Sequence, residues 1–172
     1  MVSSLSSRSD SVRGRYPGGM ATVDFTLAMG EALAEARLAL IDGDVPIGAI
    51  VLDPTGHVVG RGHNRRLAAH DPTAHAEILA LRQAADVARS WRLDGHTLVV
   101  TLEPCAMCAG ATLQARVPRL VFGAWDEKAG ACGSQWDLVR DARGSAPVEV
   151  IAGVREAESA ALLRDFFENA RP

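Results

Sequence analysis

Two short motifs about thirty residues apart constrain this 172-residue chain more than any other feature. His75-Ala76-Glu77 comes first, and Pro104-Cys105-Ala106-Met107-Cys108 follows. A fold that uses them together must bring two separate segments to one point. Two thiols and one imidazole are enough for three ligands to a zinc ion, with a carboxylate beside them. A tetrahedral zinc with three protein ligands keeps its fourth position open for water. An open zinc with an unligated Glu next to it equips a hydrolytic enzyme, not a structural clip.

The spacings carry their own physical reasons. Pro104 suits the first turn of a helix, where no amide hydrogen is needed. Cys105 and Cys108 then stand at i and i+3 on one helix face, about 5–6 Å apart at Cβ. The helix N-terminus favours negative charge and helps hold both thiols as thiolates. A strand leading into that helix puts the cluster at the carboxyl end of a sheet strand, where open α/β sheets bind ligands. His75-x-Glu77 is weaker alone, because mid-helix positions i and i+2 point about 200° apart. Asp71-Pro72 just upstream predicts a helix start, with His75 in the first helical turn, so that both side chains reach one site. Without the cysteine motif, His75 and Glu77 read as exposed side chains on a solvated helix.

For the cysteines the competing readings are a redox pair and a closed structural zinc site. The first needs no His-x-Glu partner. The second needs a fourth ligand, for which His57, His63, His70, His96 and Cys132 are candidates, none at a spacing that demands it. In the catalytic reading Glu77 lies near the metal and not on it. It takes a water proton and hands it to a ring nitrogen and then to a departing amine. Attack on an amino-bearing heteroaromatic carbon, with loss of ammonia, uses every one of these parts.

Composition narrows the setting. A chain that is 48% hydrophobic and 23% charged fits one domain with a sizeable core. The formal net charge of −3 argues against non-specific coating of nucleic acid, although a local Arg cluster still serves an RNA substrate. Three cysteines are too few for a disulfide framework. Cys132 reads as a small apolar or loop thiol, with a functional thiol as its alternative, and a reducing cytoplasmic compartment fits this usage. No run of 18 apolar residues occurs, so no membrane span is expected, and no apolar run follows the N-terminal Arg residues as in a secretory signal.

Residues 1–20, rich in Ser, Gly and Arg, read as a disordered N-terminal extension. Met20 is an alternative start, and a basic tail touching RNA is the functional alternative. Residues 21–172 read as one domain. Thr22 is the expected N-cap of a helix whose apolar stripe is Phe25, Leu27, Ala28, Ala32, Leu33, Ala36, Leu38 and Leu40, ending near Gly43. A hairpin follows, with strands over Pro46–Leu52 and through Val58 and Val59, joined at Asp53-Pro54-Thr55-Gly56. Arg61–Thr73 is a predicted loop, and Ala74–Arg89 a helix with Ile78, Leu79, Leu81 and Ala85 inward. Leu98–Leu102 is a strand, the cysteine motif opens a helix through Arg116, and Arg119–Phe122 is the next strand. Gly123–Pro147 reads as loop, Val148–Ile151 as the fifth strand, and Val154–Asn169 as an amphipathic closing helix. The order αββαβαβα predicts an α/β fold, a mixed sheet covered by helices on both faces.

His-Ala-Glu with Pro-Cys-x-x-Cys resembles the zinc nucleoside and nucleobase deaminases. Within that superfamily, Val45-Pro46-Ile47-Gly48-Ala49, Gly62-His63-Asn64-Arg65, His70 through Ile78, Thr101 through Ala111 and Lys128-Ala129-Gly130-Ala131-Cys132-Gly133-Ser134 resemble the bacterial tRNA-specific adenosine deaminases over residues 22 to 170. Free guanine deaminases share the Asp-Pro-Thr-Ala-His-Ala-Glu run, and the Lys128–Ser134 segment separates the two. The resemblance implies a three-layer cytidine-deaminase-like fold with a central five-stranded mixed sheet. It implies conversion of the wobble adenosine in an arginine tRNA anticodon to inosine, by a homodimer with one Zn2+ per subunit. By motif, His75, Cys105 and Cys108 are implied zinc ligands and Glu77 the catalytic proton shuttle. Asn64 is implied to hydrogen-bond the flipped purine, with a loop-turn role as its alternative. Asp126 is implied to lie near the substrate nucleotide. The pair Phe166-Phe167 matches the last helix, with one ring in the core and the other, Phe167, lining the groove for base stacking.

The chain departs from that pattern at Trp125, which stands where a basic residue is expected, and in a less basic tail, Glu168–Pro172. Arg65, Arg66, Arg116 and Arg119 are the candidates for phosphate contact, each with solvated surface as its alternative. Two other functions remain open: a small-molecule deaminase acting on guanine or cytosine, and a non-catalytic RNA-binding partner subunit. The latter is expected to lose the proton shuttle, and Glu77 is present.

Overall fold

The apolar runs of the sequence become strands buried on both faces. In the structure, a computed structural model describing residues 13–14, 23–141 and 148–169, the order is β1 (Arg13–Gly14), β2 (Val23–Asp24), α1 (Phe25–Ile41), β3 (Gly48–Leu52), β4 (Val58–His63), α2 (Ala76–Ala88), β5 (Thr97–Leu102), α3 (Ala106–Gln114), β6 (Arg119–Ala124), α4 (Leu138–Asp141), β7 (Glu149–Ile151) and α5 (Glu156–Asn169). Five strands form one mixed sheet in the order β4-β3-β5-β6-β7. The hairpin strand β3 runs antiparallel to both β4 and β5, whereas β5, β6 and β7 are parallel. Parallel neighbours need a crossover, and α3 supplies it between β5 and β6.

Alternation along the central strands sorts the core into two layers. Ala49, Val51, Leu98, Val100, Leu120 and Phe122 face Ala76, Ala80 and Ala84 of α2 and Ala109 of α3. Ile50, Leu52, Val99 and Val121 face Phe25, Met29 and Leu33 of α1, with Leu162 of α5 at the margin. Helices therefore cover both faces, giving the three-layer α/β architecture read from the sequence.

Several boundaries differ from the sequence reading, each for a local reason. Asp24, not Thr22, caps α1: its Oδ1 accepts the Thr26 N–H at 2.9 Å and the Leu27 N–H at 3.4 Å. The buried stripe of α1 is Phe25, Ala28, Met29, Ala32, Leu33, Ala36 and Ala39. Leu27, Leu38 and Leu40 fall off that helical face and are exposed. The inward face of α2 is likewise built from Ala76, Ala80, Leu81 and Ala84, with Ile78, Leu79 and Ala85 only half-buried. β4 extends to His63, taking Arg61–His63 out of the predicted loop, and α4 forms inside the predicted 123–147 loop. α3 stops at Gln114, and α5 begins at Glu156 while Val154 is buried ahead of it. Of the predicted disordered extension, only Arg13–Gly14 is described, paired antiparallel with Val23–Asp24; the rest lies outside the described residues.

Close approach of helix to sheet depends on missing side chains. A Cβ at Gly48 would overlap the backbone of Ala32 and Ala36 in α1, and one at Gly62 would overlap the Ala76 carbonyl in α2. Both glycines sit on the hairpin that leads toward the two motifs, so they set how near α1 and α2 lie to the sheet.

Candidate active site

Both motifs start helices, and both place their first candidate donor at the N-cap. His75 caps α2 with an extended backbone (φ −77°, ψ 152°), and Cys105 caps α3 similarly (φ −70°, ψ 172°). The sequence reading had put His75 in the first helical turn and Pro104 inside the helix; His75 lies one position before its helix and Pro104 two positions before its own. The extended cap gives the same result by another route. It breaks the helical rotation between His75 and Glu77, so both side chains reach one cleft. Neither cap side chain bonds the backbone of its helix. They turn instead toward each other across the two helix N-termini, whose dipoles favour negative charge there.

His75 Nδ1 lies 3.7 Å from Cys105 Sγ and 3.5 Å from Cys108 Sγ. The three donor atoms all lie within 4.8 Å of one another. Tetrahedral bonds of about 2.3 Å to sulfur and about 2.0–2.1 Å to nitrogen separate N and S donors by about 3.6 Å, so the set fits zinc. Among the described residues no other group of His, Cys, Asp or Glu gathers in this way, and none of His57, His63, His70, His96 or Cys132 joins as a fourth ligand. Cys132 is fully buried, as its structural reading expected.

The electrostatics separate the two thiols. The neighbouring Cys108 thiol and then His75, acting against burial, bring the Cys105 pKa down to about 3. Cys108 is pushed up by Cys105 and by burial. Cys105 also lies against His75. Its bond to His75 in turn raises the imidazole above its ordinary value. Glu77 is buried, and loss of hydration raises its pKa above the usual carboxylate range. Burial thus favours the protonated form of this carboxyl group.

A cleft of about 200 Å³ opens on these groups, lined by Asn64, Arg66, His75, Glu77, Cys105 and Asp126 among others. Asn64 is 3% exposed; its Nδ2 donates to the Val45 carbonyl at 3.3 Å, while its Oδ1 is buried without a partner. Asp126 is half-buried at the rim, and its Oδ1 already accepts the N–H groups of Lys128 (3.0 Å) and Ala129 (3.2 Å). Phe167 does not enter the cleft. It lies, 52% exposed, in an adjoining groove, while Phe166 beside it is half-buried.

The arginine candidates divide. Arg66 lines the cleft. Arg65 pairs with Asp42 at 3.1 Å. Arg119 is buried and bound to Glu149 at 2.6 Å, its neighbour across β6 and β7, so it is structural. Arg116 lies with Asp94, Val117 and Pro118 around a separate cavity beside the start of β6, and it does not reach the cleft.

Two residues that the sequence reading passed over hold the site in shape. Glu103 is 2% exposed and sits between β5 and Cys105. Its Oε1 accepts the N–H groups of Cys132 (2.9 Å) and Ser134 (3.0 Å), and its Oε2 that of Asp126 (3.1 Å). Asp44 is 1% exposed and accepts the N–H groups of Leu67 and Ala68, each at 3.1 Å, bracing the 64–70 turn. A lone acid beside a structural motif was the available signal in Glu103; nothing marked Asp44.

Three donors at the two helix starts, with a buried carboxylate outside the set, have the make-up of a metal site with one open position. Residues 24–124 match the cytidine and deoxycytidylate deaminase zinc-binding region, and the chain belongs to that family. It is 50% identical over 144 residues to the tRNA(Ile)-lysidine synthase of Deinococcus deserti, covering 84% of this chain and 27% of that protein. The chain therefore spans about a quarter of the length of its Deinococcus relatives. It is 43% identical to the tRNA-specific adenosine deaminase of Bacillus subtilis strain 168, over 84% of this chain and 89% of that one. A solved tRNA:A34 deaminase, from work on A-to-I editing at the wobble position, superposes with a TM-score of 0.75 at 44% identity, covering 80% and 99% of the two chains. The guanine deaminase of Nitrosomonas europaea superposes at 0.70 with 27% identity, covering 90% and 87%.

Proposed function

We propose that this protein is a zinc-dependent hydrolase that converts adenosine to inosine at the wobble position of a tRNA anticodon, with arginine tRNA as substrate. The observation that carries the reaction class is Glu77, buried and off the donor set, in the same cleft as His75 and Cys105. The choice of substrate is supported by the higher identity to tRNA adenosine deaminases than to the guanine deaminase, and by the Lys128–Ser134 segment.

His75, Cys105 and Cys108 would hold one zinc per subunit. Bound there, zinc supplies the Lewis acidity that makes water a nucleophile at neutral pH. Glu77 takes the proton released by that water and returns it to the purine N1. It then takes the remaining proton of the added water oxygen and delivers it to the amino group, so that C6–NH2 and water become C6=O and ammonia. Asn64, with an unpartnered buried Oδ1, accepts a hydrogen bond from the base and fixes its orientation. Asp126 sits at the rim beside the target nucleotide, and Phe167 stacks on a base further out.

The active unit is a homodimer. The groove between α2 and α3, lined by Ile78, Leu81, Ala85, Trp91, Ala111 and Ala115 together with Arg82 and Gln114, supports pairing with a second copy. Sedimentation velocity is expected to give a dimer that Trp91→Asp converts to monomer. Among the described residues no helix is long and apolar enough to cross a membrane, and a cytoplasmic tRNA-modifying role is consistent with three unpaired cysteines.

The second reading, deamination of a free base, is favoured by the shared fold of the guanine deaminase. Incubation with an anticodon stem-loop bearing adenosine at the wobble position, and separately with guanine and cytosine, distinguishes them. Inosine in the stem-loop is the expected product. Turnover of a free base with no inosine in RNA refutes the proposal.

A further inference from the structure

The cleft is small, and a larger groove that carries Trp125 adjoins it. At roughly 30 Å³ of liquid volume per water, the 200 Å³ cleft holds about six or seven waters, room for one ring system and not for a nucleotide chain. Beside it runs a groove of about 920 Å³, sharing Val45, Leu102, Asp126 and Ala129 with the cleft, so the two are continuous. Trp125 and Phe167 are its large aromatic residues.

Trp125 is 41% exposed, immediately before Asp126 at the cleft rim. It is not loose. Its ring meets Phe122 edge-on, with centroids 4.8 Å apart and an interplanar angle of 85°. Gly133, at φ 142°, leaves room for the indole, since a Cβ there would lie 3.1 Å from the ring. A braced, half-exposed aromatic face at the mouth of a polar cleft is a poor choice for solvent and a good one for a flat ligand. The groove also carries Glu127 and Glu156 against Lys128, so it is no phosphate channel. What it offers a polynucleotide is an aromatic surface.

We propose that Trp125 is the stacking platform for the nucleotide adjacent to the target adenosine, so that cleft and groove together seat two consecutive nucleotides of single-stranded RNA. This rests on the deaminase reading above.

The test uses the full chain and anticodon stem-loops carrying 2-aminopurine, a base whose fluorescence falls on stacking, on one or the other side of the target adenosine. In a Glu77→Gln background, which binds without turnover, one of the two probes is expected to be quenched. Trp125→Ala abolishes the quench and Trp125→Phe retains it. In the active enzyme Trp125→Ala raises KM for the stem-loop about tenfold with kcat within about twofold, the size of one base–aromatic stack. Trp125→Leu, which keeps the apolar contact on Phe122 without a π-face, replaces the alanine variant if that one is destabilised. Unchanged KM and unchanged quench in variants that still make inosine overturn the role of Trp125 and leave the deaminase reading standing. A wild-type chain that turns over free bases and not the stem-loop overturns both.

Discussion

The carboxylate of Glu103 accepts the backbone N–H of Cys132 at 2.9 Å, joining the strand end that delivers the cysteine motif to the loop that closes the cleft. Two further N–H groups of the same loop, from Ser134 and Asp126, converge on this one side chain. Glu103→Ala leaves three backbone donors in a buried or half-buried loop without an acceptor. At about 1–3 kcal/mol for each such donor, urea unfolding of the zinc-loaded protein is expected to show a loss of about 3 kcal/mol or more. Glu103→Gln keeps one acceptor oxygen and is expected to fall between wild type and alanine. Equal stability of all three proteins contradicts the assignment.

The grouping of the candidate metal donors was legible in the sequence because such chemistry admits few residue types at few spacings. The sheet buried on both faces was legible because Ile50, Val51, Val99 and Val100 leave no polar face to give to water. The α1 stripe was misread at Leu27, Leu38 and Leu40 for the opposite reason. Leucine outranks alanine in hydrophobicity, yet a helix lying this close to a sheet selects small residues such as Ala32, Ala36 and Ala39. Glu103 and Asp44 were missed because their partners are backbone amides more than twenty residues away, which carry no side-chain signature. Arg119 looked available to RNA only because its partner, Glu149, is set by the parallel register of β6 and β7.

Gly48 tests how tightly that packing is drawn. A methyl group there meets backbone atoms of Ala32 and Ala36, which cannot swing aside as a side chain does. α1 must move, and overpacking of this kind costs about 1–3 kcal/mol. Gly48→Ala is therefore expected to lower the unfolding midpoint. Val45 and Ile47, which line the cleft just before it, should carry the shift into a lower kcat/KM on the stem-loop. A variant as stable and active as wild type shows that the helix and sheet are less closely apposed.

Metal content and proton transfer are expected to separate cleanly. Cys108 is fully buried and belongs to the donor set, so Cys108→Ser should drop bound zinc from about one ion per chain to well below half, measured by elemental analysis after gel filtration. Glu77 lies off that set. Glu77→Gln should keep its zinc while kcat falls about 10²–10⁴-fold, the range for losing a positioned general acid–base. Loss of zinc from the Glu77 variant would make this carboxylate a ligand and remove the proton shuttle from the mechanism.

Asn64 is expected to move stability and activity independently. Its Nδ2 holds the Val45 carbonyl at 3.3 Å, while its Oδ1 is buried with no partner. Asn64→Ala loses the first bond but relieves the second atom, and each is worth about 1 kcal/mol or somewhat more, so the unfolding free energy should change by less than about 1 kcal/mol. In the complex that Oδ1 meets the base. The same substitution should therefore lower kcat/KM on the stem-loop about ten- to a hundredfold, mostly through KM. A residue kept only to shape the loop after β4 predicts the reverse, a destabilised protein whose surviving folded fraction deaminates at the normal rate. Measuring both quantities on one preparation decides between them.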